Sequence, residues 1–134
     1  MSTVHLILYV AGQARSSAFY RQALDRTPRL DVPGMTEFEL GGGAVLGLMP
    51  VTGIRQLLGP KLPDPSASET PRAELYLRVA DPEAAHARAL AAGGRELSPV
   101  RPRNWGDRAG YVLDPDQHVL AFASLPASSQ EDEA

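Results

Sequence analysis

The sequence predicts an α+β fold in which two βαβββ modules form a curved mixed sheet around a cavity. The first observation is a repeat, since residues 5–11 (HLILYVA) and 74–80 (ELYLRVA) share the same residue at four of seven positions. Three of the identities, Leu6/Leu75, Leu8/Leu77 and Val10/Val79, fall on alternate positions, which is the spacing of one face of a strand. The second observation is that Val45-Leu46 and Val119-Leu120 correspond in the same order near the ends of the two halves. We therefore expect one supersecondary unit to occur twice.

The first module is expected over residues 4–50. Pro28 ends a stretch with helical spacing, because proline cannot continue a helix. Pro33-Gly34 and the glycines at 41–43 are turn signals that separate short alternating segments. The predicted elements are one strand (4–10), one helix (14–25) and three further strands (30–32, 36–40, 44–49).

A proline-rich linker is expected over 51–72, with a short helix ending at Gly59, and the second module over 73–124. Asp81-Pro82-Glu83 predicts a helix start, because an acid at the cap, proline in the first turn and a second acid all suit a helix N-terminus. The remaining predictions are strands (74–79, 95–100, 110–113, 118–123), a helix that ends at the glycines 93–94, a loop (102–107) and an acidic flexible tail (125–134).

Composition excludes several classes of function. The chain has no cysteine, so disulfides, thiolate metal sites and cysteine nucleophiles are absent. The net charge is −3, and the three acids at 131–133 account for it, which leaves the body near neutral. We expect no nucleic-acid partner without a basic footprint, and no membrane partner without an apolar run of about 18 residues. The predicted location is cytoplasmic.

Two potential metal ligands begin the repeated strands. His5 and Glu74 occupy equivalent positions, and imidazole and carboxylate both bind first-row metals. Glu37 and Glu39 share one face of a predicted strand and are candidate further ligands. The competing interpretation is that all four side chains are ordinary surface groups. Glu74 is also a candidate general base for a metal-free reaction.

Aromatic and basic side chains share the predicted cavity face with these acids. An arginine there can bind a carboxylate or phosphate, and aromatic rings favour a ligand pocket. The alternatives are that Arg78 only pairs with Glu74 and that Trp105 covers a dimer contact. His86, on the second predicted helix, is expected to face solvent. The candidate ligand-binding residues are Tyr9, Met49, Tyr76, Arg78 and Trp105.

The chain resembles the vicinal oxygen chelate superfamily, which includes glyoxalase I, extradiol dioxygenases, fosfomycin-resistance enzymes and bleomycin-resistance proteins. The resemblance covers residues 4–124. The segments that carry it are the two repeated strands, Ser17-Ala18-Phe19-Tyr20-Arg21, Asp81-Pro82-Glu83-Ala84-Ala85, Trp105-Gly106, and Tyr111-Val112-Leu113-Asp114-Pro115-Asp116-Gln117-His118.

The resemblance implies a homodimer of paired βαβββ modules that binds a ligand in the sheet cavity. Relatives with a metal hold it at positions that match His5, Gly47, Glu74 and Ala121, and two of these have no ligating side chain here. We therefore expect a small-molecule-binding protein without a complete metal site and without a cofactor. The alternative is a lactoylglutathione-lyase-like or dioxygenase-like enzyme that holds a divalent metal through His5, Glu74 and Glu37 or Glu39.

Overall fold

The computed structural model describes residues 3–67 and 70–126, and it confirms the predicted α+β fold. Each half of the chain forms one four-stranded mixed sheet with a helix on one side. The strands are β1 (Val4–Val10), β2 (Leu30–Val32), β3 (Met35–Gly41), β4 (Ala44–Pro50), β5 (Glu74–Arg78), β6 (Arg95–Pro102), β7 (Arg108–Leu113) and β8 (Val119–Ser124). The helices are α1 (Gln13–Leu24), α2 (Val51–Leu58) and α3 (Pro82–Ala91).

The two sheets have the same topology. The first has the strand order β1-β4-β3-β2 and the second β5-β8-β7-β6. In each sheet the first and last strands of the module run parallel, and the other neighbours run antiparallel. The parallel pairing requires a crossover connection, and α1 and α3 provide it. The repeat in the sequence is therefore a repeat of one complete supersecondary unit.

One hydrophobic core unites the two modules. The helix-facing residues of both sheets and the apolar sides of α1 and α3 form one cluster, and α1 packs directly against α3. Phe19, Tyr20, Phe38 and Phe122 are its largest side chains, and each is at most 2% exposed. The face of each sheet that is not covered by helices carries the residues between these core positions, because side chains alternate along a strand.

A buried carboxylate joins the first module to the second. Asp114 follows β7, and its Oδ2 accepts a hydrogen bond from the Tyr20 hydroxyl of α1 at 2.7 Å. The same oxygen lies 2.9 Å from His118 Nδ1, and Oδ1 accepts the backbone N–H groups of Asp116 and His118. A buried carboxylate needs such donors because burial alone disfavours its charge. We call Asp114, Tyr20 and His118 the junction cluster.

The helix boundaries follow the predicted signals. The Asp81 side chain accepts a hydrogen bond from the Ala84 N–H and caps α3, and Pro82 occupies its first turn. α1 ends one residue earlier than predicted, at Leu24, where Asp25 adopts a left-handed conformation. α2 lies within the predicted linker but begins at Val51 directly after β4.

The structure does not confirm two of the predictions, the solvent exposure of His86 and the acidic tail. The expectation that His86 faces solvent is wrong, because its side chain is 7% exposed and its Nε2 lies 2.7 Å from Glu96 Oε2. This burial arises because Gly110 of β7 has no side chain and leaves room for the imidazole against the sheet. Residues 127–134 of the predicted acidic tail lie outside the described residues.

Candidate functional site

The uncovered face of the first sheet carries a network of charged side chains. His5 Nδ1 lies 3.6 Å from Glu37 Oε2, and Arg29 Nε donates to Glu37 Oε1 at 3.0 Å. Arg29 Nη1 also donates to Glu39 Oε1 at 3.0 Å. His5 is therefore paired with an acid of its own sheet, and Arg29 neutralises part of the carboxylate charge.

Gly47 lies in the middle of this face, where a ligating side chain would have to displace its neighbours. A Cβ atom at this position would be 2.5 Å from Ile7 Cδ1 and 3.2 Å from Met35 Sδ. Ile7 and Gly47 are register partners on adjacent strands, so the isoleucine covers the glycine. Apolar atoms therefore occupy the space that a metal ligand at position 47 would need.

Asp107 organises the uncovered face of the second sheet. Its Oδ2 accepts a hydrogen bond from the Tyr76 hydroxyl at 2.6 Å. Arg78 Nε donates to the same oxygen at 3.1 Å, and Arg78 Nη2 donates to Oδ1 at 3.3 Å. Only 4% of the Asp107 side chain is exposed, whereas Arg78 is 63% exposed. The carboxylate thus anchors a guanidinium whose outer edge stays accessible.

Trp105 extends this group into solvent. Its Nε1 donates to the Tyr76 hydroxyl at 3.1 Å, and the residue is 57% exposed. Close by, the guanidinium of Arg103, in the loop after β6, lies 5.1 Å from the centre of the Tyr111 ring of β7, a cation–π distance. We call the group of Tyr76, Arg78, Trp105 and Asp107 the outward cluster.

The pKa values of two members of the outward cluster and of nearby Tyr111 are shifted. Burial and the hydrogen bond to Asp107 raise the pKa of Tyr76. The hydrogen bond from Tyr76, followed by those from Arg78, lowers the pKa of Asp107. Burial and the nearby charge of Glu74 raise the pKa of Tyr111. Both tyrosines thus carry their proton, and Asp107 carries its charge, across the neutral range.

The predicted site residues divide between the two sheets. Tyr76, Arg78 and Trp105 form one group as predicted, and Glu74 lies near Tyr111 on the same face. Tyr9 and Met49 are register partners on the first sheet. His5 is also on the first sheet and interacts with Glu37.

Three residues of the second face were not predicted from the sequence, namely Arg103, Asp107 and Tyr111. Arg78 pairs with Asp107 and not with Glu74, the partner considered above. Tyr111 and Arg103 also belong to this face. Tyr111 could have been identified from alternation, because Val112 next to it is buried in the core. Asp107 lies in a loop between strands, where alternation gives no orientation.

A divalent metal does not fit the residues that one chain brings together. Within 3–67 and 70–126, no three His, Asp or Glu side chains are grouped closely enough to hold an ion. Gly47 is covered by Ile7, and Ala121, which has no donor atom, is fully buried between its register partners Tyr76 and Tyr111. His5 and Glu37 supply two donors, fewer than a stable site needs.

A family model matches nearly all of the described fold. The model of the Glyoxalase/Bleomycin resistance protein/Dioxygenase superfamily matches residues 2–122. The chain belongs to this superfamily. No curated protein matches this superfamily member in sequence.

Solved structures of this superfamily share the fold. A glyoxalase-related enzyme from Fulvimarina pelagi is 24% identical, with 92% of this chain and 88% of that chain covered and a TM-score of 0.78. A glyoxalase/bleomycin resistance protein/dioxygenase from Nocardioides is 23% identical over 95% and 85% of the two chains, with a TM-score of 0.73. A family enzyme from Burkholderia phytofirmans PsJN is 18% identical over 90% and 96%, with a TM-score of 0.77. At these identities the likeness concerns the fold.

The residues that carried the resemblance have a structural role here. Tyr20 and Asp114, from two of the segments that carried the resemblance, belong to the junction cluster that joins the modules. In the parts of the chain that the model describes, no helix is long and apolar enough to cross a membrane. Family membership thus concerns the scaffold.

Proposed function

We propose that this protein binds a small molecule with an aromatic ring at the outward cluster and does so without a metal ion. The observation that carries the proposal is Trp105, an indole that is 57% exposed yet held by a hydrogen bond to Tyr76. A large ring fixed in solvent gains nothing from burial in the free protein. A planar ligand that stacks on it would cover this apolar surface.

The chemistry around Trp105 suits a ligand that also has an anionic or polar group. Arg78 presents the outer edge of its guanidinium, while Asp107 fixes its other edge. An arginine held in this way loses little conformational entropy when it binds a carboxylate. The proposed contacts are stacking on Trp105 and hydrogen bonding to Arg78 and Tyr76.

The proposed binding unit is a homodimer in which the two faces meet across copies. Tyr9 and Met49, also predicted to bind the ligand, are register partners on the first sheet, and in the proposed dimer they face the outward cluster of the other copy. β1 and β5 end their sheets, and β1 exposes Val4 (67%) and Leu6 (37%). Unpaired edges with exposed apolar residues favour association. Light scattering that gives the mass of one chain at working concentration would contradict the dimer.

A metal-dependent lyase or dioxygenase is the alternative, and the proximity of His5 to Glu37 is the observation that favours it. Such an enzyme would also use Glu74. Elemental analysis of protein purified without chelators separates the two functions. A stoichiometric divalent ion that is lost in His5→Ala would favour the alternative. If turnover is found without metal, loss of turnover in Glu74→Gln would identify a general base.

Trp105 allows a direct binding test because it is the only tryptophan in the chain. We expect metal-free bleomycin or a planar aromatic acid to quench its emission with saturation. Isothermal titration of Arg78→Leu should then show binding at least about tenfold weaker, the effect of losing about 1.4 kcal/mol. Arg101→Leu, at an exposed position on β6, is the matched control and should bind normally. Equal affinity in both variants would contradict the assignment of the site.

A further inference from the structure

A small cavity between the modules is lined by arginines and by no carboxylate. It has a volume of about 100 Å³ and lies where the end of α1 meets α3 and the end of β5. Its arginines are Arg26, which follows α1, Arg88 in the last turn of α3, and Arg78. The rest of the lining is apolar and includes the buried residues Ala23 and Phe122.

The Arg88 guanidinium has a buried Nε that forms no hydrogen bond with any residue that the structure describes. Over the same parts of the chain, neither Arg88 nor Arg26 forms an ion pair. A buried N–H of a charged group without an acceptor is unfavourable, and a second positive group nearby increases that cost. Arg78 differs, because Nε and Nη2 of its guanidinium bind Asp107.

The usual structural roles of these arginines do not account for them. The carbonyl groups of Arg21 and Gln22 in the last turn of α1 already accept the backbone N–H groups of Arg26 and Asp25. Arg26 therefore does not serve these carbonyls with its side chain. Asp25 and Glu39 border a separate open depression next to Arg26, and neither lines the cavity.

We infer that this cavity binds a small oxyanion, either a carboxylate or inorganic phosphate, between Arg26 and Arg88. Two guanidinium groups suit the oxygens of such an anion, and the apolar lining strengthens the attraction by lowering the local dielectric constant. The volume admits a phosphate-sized anion and excludes a nucleotide. The anion would connect the end of α1 in the first module to α3 in the second, and so stabilise the pairing of the modules.

Thermal unfolding in phosphate, acetate and chloride at constant ionic strength tests the inference. We expect phosphate, acetate or both to raise the Tm with saturation, because a ligand that binds only the folded state stabilises it by mass action. Chloride should give a smaller effect. The relative size of the phosphate and acetate effects identifies the preferred anion. No saturable rise with either oxyanion would overturn the inference.

Variants locate the effect. Arg88→Leu should abolish the oxyanion-dependent rise in Tm, whereas Arg101→Leu, which removes the same charge from an exposed position on β6, should retain it. Equal rises in both variants would mean a general ionic effect and would refute the site. Should Arg88→Leu fail to fold, Arg26→Gln provides the same test, because Arg26 is exposed and follows α1.

The cavity and the proposed ligand site share Arg78, whose guanidinium belongs to the outward cluster, so variants of Arg26 and Arg88 distinguish the two sites. Arg26→Gln should bind the aromatic ligand normally, because Arg26 is not part of the outward cluster. Loss of aromatic-ligand binding in Arg78→Leu and loss of the oxyanion effect in Arg26→Gln can thus be observed separately. Isothermal titration of phosphate into wild type and Arg26→Gln should show at least about tenfold weaker binding in the variant, the equivalent of about 1.4 kcal/mol.

Discussion

The two ends of β7 carry aspartates with the same local chemistry and different surroundings. Asp107 before the strand accepts the Tyr76 hydroxyl at 2.6 Å, and Asp114 after it accepts the Tyr20 hydroxyl at 2.7 Å. The Tyr76 bond stays within one sheet next to an exposed tryptophan, whereas the Tyr20 bond crosses between modules in the core. A tyrosine–aspartate hydrogen bond therefore indicates a structural or a binding role only through its surroundings.

The largest expected difference follows from changing each aspartate to asparagine. Asp114→Asn should lower the free energy of unfolding by about 3 kcal/mol, since it removes a buried charge that has four hydrogen-bond donors. Asp107→Asn makes the same change at the other end of β7 and should cost clearly less stability. Urea denaturation measures both values, and equal losses would contradict the distinction between the two clusters.

Removal of each tyrosine hydroxyl tests the same difference between the two aspartates. Tyr20→Phe should cost about 1.5 kcal/mol, because the buried Asp114 loses one donor. Tyr76→Phe should cost less but should change the emission of Trp105, since the indole Nε1 loses its acceptor. Urea denaturation and fluorescence separate these effects. Tyr20→Phe should leave the emission of the native protein unchanged. A shifted emission would contradict the separation of the junction cluster from the outward cluster.

The close packing at Gly47 extends the comparison to the first sheet. Gly47→Ala should lower the free energy of unfolding by about 1 kcal/mol, because the new Cβ would overlap Ile7 Cδ1 and the end of that side chain must move. Gly53→Ala on α2 is the matched control, since its Cβ would meet only Met49 Cε at 4.0 Å. That control should gain up to about 1 kcal/mol from helix propensity. Thermal denaturation of the pair measures both changes.

The smallest effect concerns pH. Burial opposes the charge of His118, but the hydrogen bond to Asp114 and the charges of Asp114 and Asp116 together outweigh it and raise the pKa of His118. Burial also opposes the charge of Asp114, but the hydrogen bonds and charge of His118, together with the hydrogen bond from Tyr20, outweigh it and lower the pKa of Asp114. The histidine contribution is complete below its ordinary pKa and is lost as pH rises through the raised value. The aspartate contribution is present above its ordinary pKa and is lost as pH falls through the lowered value.

The pair therefore stabilises the fold most between about pH 4 and pH 6.5, the ordinary pKa values of the two groups. His118→Asn keeps a donor and removes the charge, so its cost relative to wild type should be greater at about pH 5.5 than at about pH 8.5. Urea denaturation at both values measures the cost. A cost that is the same at both pH values would mean that the charge of His118 contributes nothing.

The fold could be predicted from local patterns because the sequence repeats one unit. Identities at alternate positions of residues 5–11 and 74–80 indicated two equivalent strands, and both strands begin their modules. Asp81 and Pro82 marked the start of α3 correctly because helix caps depend on neighbouring residues. The superfamily followed from the same local segments.

The candidate site could be predicted only in part. Tyr76, Arg78 and Trp105 were expected to lie together, and they do, because alternation orients two of them. Their anchor, Asp107, was missed because loop conformation is set by long-range contacts. The same holds for Tyr20 and Asp114, whose hydrogen bond joins residues that are 94 positions apart.

The position of the junction cluster has an evolutionary consequence. The Asp114 carboxylate takes two of its donors from backbone N–H groups of its own turn, so this joint does not depend on the loop at 103–107. Substitutions in that loop can therefore change the proposed binding surface while the joint between the duplicated halves persists. If the proposed site is correct, such a scaffold can acquire new ligands through changes in one loop, without first accumulating compensating mutations in its core.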